Sequence, residues 1–125
     1  MGYTKIFQGE TLRLEILDKD GKIDKKVMPD IDQETLLKMY RNMRQMRAFD
    51  EKALKLQRQG RIGTYGSLRG QEAAQAGLAV NLSQENDWLV QSFREHGVLM
   101  SLGVPMHFIY AYSRGDERGN LSDIG

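Results

Sequence analysis

The chain has 125 residues, 40% of them hydrophobic and 28% charged, which suits one ordinary domain with a modest core and gives no sign of a second. Its 18 Lys and Arg against 17 Asp and Glu leave a formal charge of +1, too balanced for a broad nucleic-acid or anionic-membrane footprint. It has no cysteine, which excludes a disulfide framework, a thiolate metal site and redox chemistry on a protein thiol. No window approaches the roughly 20 apolar residues that span a bilayer, and the expectation is a soluble, cytoplasmic protein.

In chain order, residues 3 to 28 alternate loosely between apolar and polar types, with Leu12, Leu14 and Ile16 on one face and Asp18, Lys19, Asp20 and Gly21 as turn formers. This pattern predicts a β-hairpin. Pro29 and Asp30 close it, so a boundary falls near residue 30, and Asp32 is placed to cap the next element, with Glu34 adding favourable charge in the first turn. From Gln33 to Gln59 the positions Leu36, Met39, Tyr40, Met43, Met46, Ala53 and Leu54 recur at three- and four-residue spacing, predicting a long amphipathic helix ended by Gly60. Its methionines read either as ordinary core or as an adaptable docking surface. Asp50 interrupts the stripe with a charge, and Arg47, one turn away, is the nearest candidate for a structural ion pair.

Gln71 to Leu82 reads as a second helix, in which Ala73, Ala74, Ala76, Gly77 and Ala79 leave room for a close neighbour. Ser83 to Asp87 is a polar turn, and Trp88-Leu89-Val90 a short buried strand. Val98 to Leu102 is a helical run, Pro105 opens a last helix over Met106 to Tyr112, and periodicity is lost from Ser113 onward. A parallel sheet needs several strands covered on both faces, so these elements read as the opening portion of something larger.

Glycines, arginine and histidine gather where elements change over between Gly60 and Gly103. Phe93-Arg94-Glu95-His96-Gly97 joins the predicted strand to a helix start, where free N–H groups and the helix dipole favour an anion. Arg94 adds a positive fork suited to phosphate, or forms an ion pair. His96 titrates near neutrality and can move protons, or serve as a structural donor. Gly63 to Arg69 is polar and flexible, and Tyr65 there can line a site with its ring and donate through its hydroxyl. Gly70, Gln71 and Glu72 are explained as turn, cap and first-turn charge.

The Gly60-Arg61-Ile62 turn, the Gly70-Gln71-Glu72-Ala73 helix start, Phe93-Arg94-Glu95-His96-Gly97 and Ser113-Arg114-Gly115-Asp116-Glu117-Arg118-Gly119-Asn120 are each short. In this order, over residues 33 to 125, they resemble the thiamine-diphosphate-dependent alpha subunit of 2-oxo acid dehydrogenases. The resemblance implies an α/β fold class: the N-terminal portion of a thiamine-diphosphate-binding fold, helix-rich and incomplete. A hairpin extension would occupy residues 1–30, and the start of the cofactor-binding domain residues 31–125. It implies oxidative decarboxylation of a 2-oxo acid, most simply pyruvate, with transfer of the acyl group to lipoyl. Branched-chain 2-oxo acid and acetoin dehydrogenase subunits are the alternatives, and a noncatalytic helical interaction module is the rival of another class.

By resemblance, Phe93 and Arg94 contact the cofactor; the family's usual aromatic is tyrosine, so Phe93 keeps the ring and loses the hydroxyl. Tyr65 and Gly66 would lie at the substrate end, and His96 would be a catalytic candidate. Gly66 stands where one pyruvate-using branch carries histidine, while the closing Gly119-Asn120-Leu121-Ser122-Asp123-Ile124-Gly125 is closer to branched-chain members, so the two ends point to different substrates. The implied partners are a beta subunit in an alpha2beta2 heterotetramer, a lipoyl acyltransferase core and the 2-oxo acid, with neither nucleic acid nor membrane. The family's magnesium and diphosphate motif, Gly-Asp-Gly followed by paired asparagines, is not in these residues and is expected downstream of residue 125. The sequence therefore reads as a truncated or split alpha subunit, inactive alone.

Overall fold

The computed structural model describes residues 2–83 and 85–120. The chain divides into two compact units, Met1–Ile31 and Asp32–Gly125. In the first, the expected hairpin reduces to one antiparallel bridge, Leu17 with Ile23. The turn between them is tied by Asp18 Oδ1, which accepts from the Asp20 and Lys22 amides at 2.9 and 2.8 Å, and Gly21 takes φ +80° there. No ladder extends from it among the described residues, because Tyr3, Ile6, Phe7, Leu12 and Leu14 stay exposed and have no apolar face to pack on.

The second unit is built from helices: α1 (Gln33–Arg58), α2 (Glu72–Val80), α3 (His96–Ser101) and α4 (Met106–Arg114), followed by a 3-10 turn at Glu117–Gly119. Asp32 caps α1 as expected, accepting from the Thr35 amide at 2.8 Å and the Thr35 hydroxyl at 2.7 Å. Lys55 and Arg58 complement the negative end of α1, and Gly60, at φ +67°, lets the chain leave it. α1 packs against α2 and α3, and α2 against α3.

Along α1 the fully inward residues are Met46, Phe49, Asp50 and Ala53, at offsets of three, four and seven from Met46. Phe49, absent from the predicted stripe, is the largest fully buried side chain, while Leu36 and Tyr40, both in that stripe, are about half exposed. The seam thus engages the second half of α1. It meets Ile62, Tyr65, Leu68, Ala76 and Ile109, with Met39 and Met43 partly covered at its margin. The Tyr110 ring stacks on Phe49 at 4.4 Å, and its hydroxyl donates to the Phe49 carbonyl at 3.0 Å, which fixes α4 to α1. Burial, then the nearby Asp50 carboxylate, pushes the Tyr110 phenol up to about 12.

The structure corrects two predictions. Trp88-Leu89-Val90 is not a buried strand: Trp88 and Val90 are over nine-tenths exposed, and no sheet forms among the described residues, so the architecture seen is helical rather than α/β. Its apolar side chains suit a sheet, but a strand needs a neighbour to satisfy its backbone, and none stands beside it. Arg47 does not pair with Asp50. It donates through Nε to Glu72 at 2.6 Å, which joins α1 to the start of α2.

Glu72 also accepts from the Gly70 amide at 2.8 Å, across a turn in which Gly70 has φ +88°. The Arg47 hydrogen bond lowers the Glu72 carboxyl below its ordinary value of 4.5 against the opposing effect of burial. A depressed carboxylate adds stability that is complete above its unfolded value and lost as pH falls through the folded one. Thermal unfolding of the parent and Glu72→Gln from about pH 7 down to about pH 3 is therefore expected to show the parent more stable at neutrality and the gap closing below 4.5.

Candidate functional site

The segment from Gly63 to Leu68 is shaped by Asp50. Oδ1 of this fully buried carboxylate accepts from the Tyr65 hydroxyl and the Leu68 amide, each at 2.9 Å, and Oδ2 accepts from the Ser67 hydroxyl at 2.9 Å. A charge inside the core is tolerable when donors converge on it. Burial, then the hydrogen bond to Asp50, raises the Tyr65 phenol well above its ordinary value, so it stays a donor. With its hydroxyl anchored, the Tyr65 ring lies against the His96 imidazole at 5.6 Å and 23°, and Phe49 meets both rings edge-on.

His96 opens α3 and is 7% exposed. Burial holds its imidazole below the ordinary value although the Glu95 and Asp50 carboxylates act to raise it, which favours the neutral ring. The N–H groups at this helix start are not free for an anion in the way the sequence suggested. Gly97 N–H is taken by the Gln75 side chain at 2.8 Å, and Val98 N–H by the Glu95 carbonyl at 3.0 Å.

Phe93 is 68% exposed and lies over Gly66, where an added Cβ would come within 2.9 Å of the ring and 3.2 Å of the Phe93 carbonyl. The Arg94 guanidinium stands 5.0 Å from the Phe93 ring centroid, a cation–π arrangement. Tyr65, Gly66, Phe93 and His96 line a single cleft of about 650 Å³, together with Gln91, Ser92 and Tyr112. Arg94 sits on the same turn but outside the lining.

Three buried polar atoms of this turn have no hydrogen-bond partner among the described residues: Gln91 Oε1, Arg94 Nε and His96 Nδ1. An unpartnered buried group costs about 1–3 kcal/mol, so three within six residues mark a place where another molecule's polar atoms would be stabilising. Of the three, Arg94 Nε–H is the donor that suits an anionic oxygen such as a diphosphate's, while Gln91 Oε1 can only accept and needs a donor. Among the described residues no three His, Asp or Glu side chains converge to hold a metal ion.

The polar stretch 113–120 is tied partly within itself and partly to Gly63, whose amide donates to the Ser113 carbonyl at 2.8 Å. Arg118 grips Asp116 through Nε at 2.8 Å and a terminal nitrogen at 2.6 Å, and the Asp116 amide returns to the Ala111 carbonyl. The branched-chain-like tail 121–125 lies outside the described residues.

A family model for the dehydrogenase E1 component matches residues 40–123, a span that holds every residue of the cleft. The chain belongs to this family. It is 40% identical over 109 residues to the pyruvate dehydrogenase E1 component subunit alpha of Acholeplasma laidlawii, covering 86% of this chain and 31% of that protein. Against the subunit of the same name from Bacillus subtilis it is 34% identical over 107 residues, or 85% and 29%. For Staphylococcus epidermidis the figures are 32% over 108 residues, 86% and 29%. The chain thus spans about three-tenths of these relatives.

Two residues that hold the segments around this cleft escaped the sequence reading. Asp50 carried a signal, a charge in an apolar stripe, but was assigned the wrong partner. Gln75 carried none beyond its place among small residues on α2. No helix among the described residues is long and apolar enough to cross a membrane.

Proposed function

We propose that this chain supplies the cofactor-facing part of the alpha subunit of a pyruvate dehydrogenase-type 2-oxo acid dehydrogenase that uses thiamine diphosphate. The observation that carries the reading is the turn 91–96, whose Gln91, Arg94 and His96 present buried polar atoms without partners beside a cleft lined by Tyr65, Gly66 and Phe93. Arg94 would hold a diphosphate oxygen, Phe93 would cover the cofactor with its ring, and His96 and Tyr65 would stand towards the substrate. When bound, the cofactor supplies the carbanion and electron sink for decarboxylation. The chain's own work is binding and orientation. A neutral imidazole has one nitrogen able to take a proton and one able to give it, which suits His96 to hold a proton at the substrate. The acyl product would pass to lipoyl on the acyltransferase core, with a beta subunit completing the site and magnesium bound by other residues.

A branched 2-oxo acid is the second reading. It is favoured by Gly66, which lacks the side chain that a histidine contact to pyruvate would require and at which an added Cβ would crowd the Phe93 ring and carbonyl.

The test is 2-oxo acid-dependent reduction of an artificial electron acceptor by the complete alpha subunit assembled with its beta subunit, with and without thiamine diphosphate and magnesium. Cofactor-dependent turnover is expected, with pyruvate ahead of 3-methyl-2-oxobutanoate and acetoin. Failure of the assembled protein to bind thiamine diphosphate would remove the reading.

A further inference from the structure

Gln75 sits on the inward face of α2, 6% exposed, and its side-chain amide makes two hydrogen bonds to the turn that carries Phe93, Arg94 and His96. Nε2 donates to the Arg94 carbonyl at 3.1 Å, and Oε1 accepts from the Gly97 amide at 2.8 Å. Both partners are backbone groups with fixed roles, a carbonyl that can only accept and an N–H that can only donate. A carboxamide supplies one donor and one acceptor in that fork at any pH. The amide orientation is therefore dictated by its partners.

The bracket closes around three residues, Glu95 and His96 lying between the two bonded backbone groups with Arg94 at its edge. The turn's own internal tie, from the Ser92 amide to Glu95 Oε2 at 2.8 Å, is at the surface. Gly97 belongs to the same device. A Cβ there would fall 2.6 Å from Gln75 Oε1 and 2.7 Å from the sulfur of fully buried Met46, so a side chain at 97 would push the amide out of place. α2 is held in turn to α1 through Glu72 and Arg47, so the bracket refers the turn to the body of the unit.

We infer that Gln75 is a positioning residue of the cofactor site: it fixes the Arg94 carbonyl, and with it the direction in which the guanidinium is presented to an anion. This rests on the reading of Arg94 as the diphosphate contact.

The test uses the complete alpha subunit assembled with its beta subunit. Gln75→Glu keeps an acceptor for Gly97 N–H and loses the donor to Arg94; Gln75→Met loses both. For Gln75→Glu, whose buried carboxylate would face the Arg94 carbonyl, we expect a lowered cofactor-free unfolding midpoint, thiamine diphosphate affinity weakened about tenfold in the folded protein, and a rise in cofactor KM exceeding the fall in kcat. Gln75→Met is expected to weaken binding at least as far while also lowering the unfolding midpoint. Should the first variant not fold, Gly97→Ala displaces the same amide and is expected to weaken binding in the same way. Parent-like cofactor affinity in folded Gln75→Glu or Gly97→Ala overturns the inference, as does a loss in kcat with cofactor KM unmoved. Arg94→Ala separates the two failures. If it binds the cofactor weakly while Gln75→Glu binds normally, the positioning role alone is wrong; if it too binds normally, the diphosphate reading fails and the positioning role with it.

Discussion

Arg94→Ala in the assembled enzyme is expected to weaken thiamine diphosphate binding by about 10- to 150-fold, since a charge-assisted hydrogen bond contributes about 1.5–3 kcal/mol and 1.4 kcal/mol is tenfold in affinity. The fold should barely register the change. The buried Arg94 Nε has no partner among the described residues, and removing the guanidinium forfeits a cation–π approach to an exposed Phe93 ring, about 0.5–1 kcal/mol at such a site. Arg94→Lys keeps the charge and loses the planar fork, and should fall between the two. Calorimetric titration with thiamine diphosphate and magnesium, paired with cofactor-free thermal unfolding, measures both quantities. An unchanged dissociation constant for the alanine variant would remove Arg94 from the cofactor's contacts.

The largest effect on stability is expected at Asp50. Asp50→Ala strands the Tyr65 hydroxyl, the Leu68 amide and the Ser67 hydroxyl, the first two in buried bonds, and should cost about 3–5 kcal/mol at roughly 1–3 kcal/mol for each unsatisfied donor. Asp50→Asn should cost much less. Its carbonyl can take both donors that now meet Oδ1, and its NH₂ can donate to Ser67, whose hydroxyl reverses its role. Denaturant unfolding of the two variants checks the contrast, and equal losses would mean that the negative charge, rather than the donor geometry, is what this core requires. Freed Tyr65 would also loosen the stacked His96, so Asp50→Ala should lower activity before it unfolds the protein.

Most helix boundaries were legible along the chain because their causes are local. Asp32 sits three residues before the amide it caps, Gly60 takes the positive φ that ends a helix, and apolar residues recur at the helical period, whereas the last helix runs to Arg114, two residues beyond the expected end. The residues that line the cleft drew notice in the sequence for a related reason: glycine, aromatic residues and histidine crowd into two changeovers between elements. Tyr65, Gly66, Phe93 and His96 do meet in one cleft, although Gly66 and Phe93 lie 27 positions apart.

Partnership across the chain was not legible. Arg47 chose Glu72, 25 residues on, over Asp50 three away. Arg47 lies outward and half exposed while Asp50 lies in the core, and a difference of one helical face separates them. Trp88 and Val90 have the composition of a buried strand, but composition does not provide the neighbour that buries one. By itself the sequence determined most of the helices, the Asp32 cap and the dehydrogenase family, all of which depend on short spacings or on ordered motifs. Tertiary structure decided that Asp50 shapes the Tyr65 segment and that Gln75 brackets the Arg94 turn. Each is a buried polar group whose partners are set by which donors and acceptors the packing brings within about 3 Å, a quantity that no local spacing encodes.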